Sequence, residues 1–127
     1  TKQWDRNVSI YQSLLEAETN HEIKTDLGIR LSYCYKRLGQ WENAIELWER
    51  LLSDGKFRYE PFEELAKYYE HHIRDFKQAE QIIQKALKNL EIMEQLRPNH
   101  IFSDYRKNFV HRLERIQRKI GDQKKQN

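Results

Sequence analysis

The side chains that could do chemistry are few and do not form a recognisable catalytic set. His71 and His72 are adjacent, and adjacent residues on a helix point about 100° apart, so the pair is poorly placed to share one metal ion. Cys34 lies between two tyrosines and is interpreted as an inert buried thiol. The sequence has no Gly-rich phosphate loop and no nucleophile with a plausible base nearby. We therefore predict no enzyme activity, no cofactor and no metal site.

Positive charge is concentrated towards the C-terminal end. Residues 100–127 hold 8 Lys and Arg against 3 Asp and Glu, whereas residues 1–99 hold 15 against 17. Clustered cations can bind a phosphate backbone, but a helix that covers a core also needs a charged outer face, and both interpretations stay open. The candidate nucleic-acid contacts are Arg106, Lys107, Arg112, Arg115, Arg118 and Lys119.

The composition favours a single all-α domain. The 127 residues are 34% charged and 12% aromatic and include only four Gly and two Pro, which suits long solvated helices and argues against a β fold. The single cysteine cannot form an internal disulfide, and neither a membrane-span pattern nor a signal-peptide pattern is recognised. We predict a cytoplasmic location and no membrane contact.

A helix-turn-helix pattern occurs twice in the middle of the chain. The second copy follows the first by 34 residues before the turn and by 35 residues after it, so the second turn holds one extra residue. The matched positions are Leu31, Ser32, Tyr35, Gly39, Trp41, Ala44, Trp48 and Leu51 in the first copy and Leu65, Ala66, Tyr69, Phe76, Ala79, Ile83 and Ala86 in the second. Small residues at the matched Ala positions would let the two helices of each pair approach closely.

This pattern resembles the tetratricopeptide (TPR) repeat family, whose helix pairs recur at about 34 residues. The resemblance implies a right-handed α-solenoid fragment with a leading helix, two repeats and a C-terminal capping helix. We predict one TPR-like domain over residues 1–127, with Thr19 and Asp75 as helix N-caps. Its parts are a leading helix over 5–18, repeat one over 20–54, repeat two over 58–96, a basic capping helix over 101–120 and a frayed tail over 121–127.

The TPR resemblance also implies a concave groove, formed by the first helix of each repeat, that binds an extended peptide. Ile29 and Tyr33 stand where the clamp for chaperone C-termini requires Lys and Asn, so we do not expect chaperone tails to bind. The alternative to peptide binding is that the charged residues at the groove positions only keep the helices soluble. The groove candidates are Asp26, Ile29, Tyr33, Lys36, Arg37, Glu60, Glu63, Lys67, Glu70 and His71.

A narrower resemblance involves residues 64–71, 75–79, 86–87 and 112–116 together with Lys119. These residues look like the helical segment that follows an RNase H-like exonuclease domain in bacterial proteins of the YprB type. The resemblance implies a non-catalytic scaffold module, the C-terminal accessory domain of a larger protein, that binds a protein or peptide. Its own upstream domain is one candidate partner. The alternative is an accessory domain that contacts nucleic acid through its basic C-terminal helix. The oligomeric state is left open.

Overall fold

The computed structural model describes residues 2–54 and 57–126, and within these residues all regular structure is helical. The all-α prediction is therefore confirmed. The chain forms two compact units, Thr1–Gly55 and Lys56–Asn127. The solenoid and the single TPR-like domain predicted above stay predictions. The helices are α1 (Lys2–Ala17), α2 (His21–Arg37), α3 (Trp41–Leu52), α4 (Tyr59–Lys67), a π-helical segment (Tyr68–Ile73), α5 (Phe76–Leu96) and α6 (Ile101–Gln126).

In the first unit, α2 is the central element and packs against both α1 and α3. Its buried residues include Leu31 and Cys34, and the buried residues of α3 include Ala44 and Trp48. Burial raises the pKa of the Cys34 thiol, so the thiol stays protonated at neutral pH. Cys34 is therefore a packing residue, as the sequence indicated.

Two details of the first unit differ from the sequence-based prediction. The leading helix begins at Lys2, three residues before the predicted start, and its Trp4 is half-buried. The Thr19 prediction is wrong by one residue. Asn20 is the N-cap of α2, because its side-chain oxygen accepts a hydrogen bond of 3.1 Å from the backbone N–H of Ile23. An Asn side chain makes this bond at least as well as a Thr hydroxyl does.

In the second unit, α5 packs against both α4 and α6. Aromatic side chains join α4 to α6, with ring centroids 4.9 Å apart for Tyr59 and Phe109 and 4.4 Å apart for Tyr59 and Tyr105. The Tyr59 hydroxyl donates to Glu63 and accepts from Asn108. Burial, followed by the hydrogen bond to Glu63, raises the pKa of Tyr59 to about 12. The apolar stripe of α6 thus lies against the core of its unit.

The two helical hairpins, α2–α3 and α4–α5, close in the same way except for one residue. The carbonyl of Tyr35 accepts from the N–H of Gln40, and the carbonyl of Tyr69 accepts from the N–H of Asp75, both at 2.9 Å. The second hydrogen bond joins residues six positions apart in the sequence, whereas the first joins residues five positions apart. The π-helical segment therefore contains the extra residue that the repeat spacing detected, since a π turn is one residue wider than an α turn.

Each hairpin also has one residue in the left-handed backbone conformation. Gly39 has φ 71° in the first hairpin, and Arg74 has φ 62° in the second. Glycine adopts this conformation without strain, whereas a residue with a Cβ is strained in it. The Asp75 side chain then caps α5 by accepting from the N–H of Gln78 at 3.1 Å, as predicted from the sequence.

The C-terminal helix is longer than predicted. It is helical through residues 121–126, beyond the predicted end at residue 120, and the fraying expected there stays a prediction; Asn127 lies outside the described residues. Within residues 2–54 and 57–126, no helix has both the length and the apolar character that crossing a bilayer requires.

Two glycines with equally open surroundings test the backbone assignments. A Cβ on Gly39 or on Gly121 would meet no heavy atom within 4 Å, but only Gly39 has a positive φ. We expect Gly39→Ala to lower the free energy of unfolding by about 1–2 kcal/mol. We expect Gly121→Ala to raise it by up to about 1 kcal/mol, because Ala favours a helix.

Chemical denaturation followed by circular dichroism measures both effects, and each variant is the steric control for the other. An unchanged free energy of unfolding in Gly121→Ala would indicate that α6 frays before residue 121. A neutral Gly39→Ala variant would contradict the left-handed assignment.

Candidate functional site

The strongest concentration of charge in the second unit surrounds Glu70. Its carboxylate is completely buried, yet three cationic side chains of α6 donate hydrogen bonds to it. Arg112 Nη1 lies 3.0 Å from Oε1 and Lys119 Nζ lies 2.7 Å from Oε2. Arg115 uses two donors, Nε to Oε2 and Nη2 to Oε1, both at 2.8 Å. We call these four residues the Glu70 cluster.

Local sequence explains how the cluster forms. Arg112, Arg115 and Lys119 are spaced i, i+3 and i+7, so they share one face of α6. Glu70 lies in the π-helical segment, immediately after Tyr69. Lys36 is the equivalent residue of the first hairpin, after Tyr35, and it is half-buried in its own unit. The hairpin with the extra residue is thus the one that buries a charged side chain at this position.

The electrostatics of the cluster favour an ionised carboxylate. Burial alone would raise the pKa of Glu70, but the hydrogen bonds from Arg115 and Lys119 outweigh burial and lower the pKa to about 2. The hydrogen bond to Glu70 raises the pKa of Arg115. The Nε2 atom of His71 lies 3.5 Å from Glu70 Oε1. Its pKa is nevertheless lowered, first by burial and then by the three cations, which oppose the effect of Glu70.

The six candidate nucleic-acid residues therefore divide into two groups. Arg112, Arg115 and Lys119 belong to the Glu70 cluster, and Arg106 donates to Glu94 from Nε at 3.1 Å. The other two, Lys107 and Arg118, are exposed on α6, where exposed acidic residues alternate with them. The sequence revealed the basic helix but not its carboxylate partners, which are 12 to 49 residues away along the chain.

The groove candidates of the first unit lie along α2. Asp26, Tyr33 and Arg37 are exposed, and Lys36 is half-buried. Ile29 is only 7% exposed, so its prediction as a groove-facing residue is wrong. Ile29 lies on the inner face of α2 with the other buried apolar side chains. The Arg37 guanidinium lies over the ring of Trp4, 5.2 Å from its centroid.

The groove candidates of the second unit have a different arrangement. Glu60, Glu63 and Lys67 are half-buried on α4, and Lys67 Nζ lies 3.3 Å from Glu63 Oε1. Glu70 is completely buried, so its prediction as a groove-facing residue is also wrong. His71 remains exposed, although it borders the Glu70 cluster.

The first unit has a cleft that sequence reasoning missed. A cavity of about 350 Å³ lies among α1, α2 and α3, with Leu15, Leu47 and Leu51 on its apolar side. Gly28 also lines the cavity, and a Cβ on it would lie 3.4 Å from Leu51 Cδ2. At its edge, His21 Nε2 lies 2.9 Å from Asp54 Oδ2. No sequence pattern signals such a cleft, because its lining comes from three separate helices.

Metal-binding geometry is not found in the part of the chain that the structure describes. No group of three or more His, Cys, Asp or Glu side chains there could hold an ion. The two adjacent histidines have different neighbours: His71 lies beside Glu70, while the ring of His72 stacks on Tyr68 at 5.3 Å.

A substitution at Glu70 tests the electrostatic role of the cluster. Glu70→Gln keeps the side-chain size but removes the negative charge, which leaves three cations together. We expect a loss of roughly 3–5 kcal/mol of stability at pH 7, because a charged partner of a buried ion pair is removed. The wild-type advantage should be complete above the unfolded-state pKa of about 4.3 and should disappear as pH falls towards the folded-state pKa of about 2.

Denaturation of both proteins between pH 7 and pH 2 measures this difference. Glu94→Gln is the matched control, since it removes a carboxylate from a partly exposed pair with Arg106, worth about 0–1 kcal/mol. If the wild-type protein is more stable than Glu70→Gln by the same amount at pH 3 and at pH 7, the charge of Glu70 does not stabilise the fold.

Comparison with known proteins connects the chain to part of a larger one. No family model matches it, and no solved structure matches it. Over 90 residues, 69% of the chain, it is 32% identical to the uncharacterized protein YprB of Bacillus subtilis (strain 168). The match takes up 21% of that protein, so the chain spans about a fifth of the length of this relative.

Proposed function

We propose that this chain is a non-catalytic, TPR-type interaction module, the C-terminal accessory domain of a larger protein. Its role is to bind a protein or peptide partner through its surface, and the partner can be a domain of the same polypeptide. The observation that carries this proposal is the similarity to YprB, which extends over 69% of this chain but only 21% of that protein. The rest of a parent of that size has room for other domains. The resemblance of residues 64–119 implies that one of them is an RNase H-like exonuclease domain.

The burial of equivalent residues supports TPR-like hairpins. Ala44 and Ala79 are both 0% exposed, as are Ser32 and Ala66. These small residues lie at matched positions in the two hairpins, where close approach of two helix backbones needs small side chains. Equivalent environments at equivalent positions are what a repeated helical unit requires.

The first unit offers features that suit a partner. On α2, the exposed residues Asp26, Tyr33 and Arg37 combine both charge signs with an aromatic ring. Mixed charges of this kind govern partner choice and association rate more than affinity. The cleft beside Leu47 has an apolar side that could accept a partner's side chain.

A charge reversal on α2 tests the docking surface. We expect Lys36→Glu with Arg37→Glu to weaken binding of the protein partner by about tenfold or more, because the reversal places like charges against it. The partner is isolated by affinity purification on the immobilised chain, and its Kd is then measured by surface plasmon resonance.

Lys124→Glu with Lys125→Glu makes the same change of charge at the end of α6 and should leave the Kd within about threefold of the wild-type value. Equal weakening by both double variants would mean that net charge, and not the α2 surface, governs the interaction. The thermal midpoints of all three proteins confirm that each is folded.

The non-catalytic part of the proposal has a separate test. We expect no cleavage when this chain is incubated with labelled single-stranded and double-stranded DNA or RNA in Mg²⁺ or Mn²⁺. Cleavage that co-purifies with the chain and disappears on substitution of its acidic residues would overturn the assignment.

A second candidate function is contact with nucleic acid through α6. The observation that favours it is the Glu70 cluster, where three cations surround one carboxylate. Such binding must weaken steeply as salt increases, because phosphate contacts release counterions. A salt titration of fluorescent oligonucleotide binding tests this candidate, and the absence of binding at low salt would exclude it.

A further inference from the structure

The Glu70 cluster holds more positive than negative charge. Arg112, Arg115 and Lys119 surround a single carboxylate, which leaves a surplus of two positive charges. The neighbouring His71 is neutral at pH 7 and does not change this balance. Cations held this close together repel one another, and the repulsion is stronger where water is partly excluded. The surplus favours the binding of a further anion.

The cations retain donors that a second acceptor can use. Arg115 binds Glu70 through Nε and Nη2, and the guanidinium is planar and rigid, so the Nη1 corner points away from Glu70. Lys119 has three N–H donors and directs Nζ at Glu70 Oε2. The side chains of Arg115 and Lys119 are 33% and 30% exposed. Both cations are therefore partly open to solvent, whereas Glu70 itself is not.

A fourth cation, Arg74, contacts the same aromatic ring as Lys119. Arg74 and Lys119 both lie over the ring of Phe76, 5.2 and 5.5 Å from its centroid. Arg74 is the residue in the left-handed conformation, at the position where the first hairpin has Gly39. A strained arginine instead of glycine adds positive charge at this turn. The adjacent carboxylate, Asp75, is used as the helix cap of α5.

We propose that the Glu70 cluster is a binding site for a phosphate group, with Arg115 and Lys119 as its donors and Glu70 as the residue that positions them. A phosphate offers several acceptor oxygens and up to two negative charges, which match a rigid guanidinium, an ammonium and a surplus of two charges. The site does not depend on the proposed binding of a protein partner. It would supply contact residues for the nucleic-acid candidate if the phosphate belongs to a strand.

An NMR titration with inorganic phosphate tests the site directly. The ¹⁵N-labelled chain is titrated at pH 7 against sodium chloride of equal ionic strength, and the Nε–H signals of its arginines are followed. We expect saturable shifts of Arg115, and we expect Arg115→Gln to reduce the affinity by about tenfold or more, the usual effect of losing a charge-assisted hydrogen bond.

Arg118→Gln is the matched control, since it removes the same charge from an exposed position on the same helix. It should leave the affinity within about twofold of wild type. The backbone spectrum of each variant shows whether the unit remains folded. Equal loss in both variants, or shifts that chloride reproduces, would overturn the proposal.

Competition with a single-stranded oligonucleotide distinguishes the two sources of phosphate. Displacement of inorganic phosphate by the oligonucleotide assigns the site to a nucleic-acid backbone. Saturable phosphate binding without such displacement keeps the site, assigns it to a small phosphorylated ligand and removes the Glu70 cluster from the nucleic-acid candidate. The proposed phosphate site and the proposed nucleic-acid contact can therefore fail independently of each other.

Discussion

A carboxylate without exposed surface, surrounded by three cations, is the interaction on which the second unit depends. Removing a carboxylate from water costs several kcal/mol unless hydrogen bonds and opposite charges replace the lost hydration. For Glu70 those groups all come from α6, through Arg112, Arg115 and Lys119. The position of α6 beside α4 and the π-helical segment is therefore specified by charge as well as by apolar contacts such as Phe109 with Phe62.

The π-helical segment distinguishes the second hairpin, α4–α5, from the first, α2–α3. In both hairpins, the turn between the two helices contains a residue in the left-handed conformation. In both, the carbonyl of a tyrosine accepts the hydrogen bond that closes the turn. The extra residue lies between Tyr69 and Asp75, and Glu70 follows Tyr69 directly. π-Helical turns occur mostly as single insertions and often at functional positions. Here the wider turn accompanies a buried charge, whereas the first hairpin has Lys36 and no insertion.

Much of the helical framework could be predicted from the sequence, because it depends on local patterns. The two hairpins followed from small and aromatic residues at matched positions, such as Ala44 and Ala79, and the Asp75 cap followed from its hydrogen-bonding side chain. The wrong N-cap, Thr19, was a choice between neighbouring residues that can both cap. The helical end of α6 was missed because polar residues near a terminus usually indicate fraying, although Gln, Lys and Asp can continue a helix.

The site was less predictable because its contacts are distant in sequence. Glu70 was assigned to a groove because the TPR resemblance makes it equivalent to Lys36, and this equivalence does not account for the π-helical segment in which Glu70 lies. The cations of α6 were recognised as a basic face, but their partner lies 42 to 49 residues earlier. Two signals pointed to the cluster: the extra residue before Asp75 and the i, i+3, i+7 spacing of Arg112, Arg115 and Lys119. Neither signal by itself shows that Glu70 contacts the three cations.

The attachment of α6 near its middle also bears on hydrogen exchange. Chain ends usually exchange their amide protons first, because terminal turns open at little cost in free energy. Opening α6 back past Lys119 would break its ion pair with Glu70, whereas opening the turns beyond it would not. Amide protection in α6 should therefore change abruptly close to residue 119, which divides one continuous helix into a slowly exchanging part and a rapidly exchanging part.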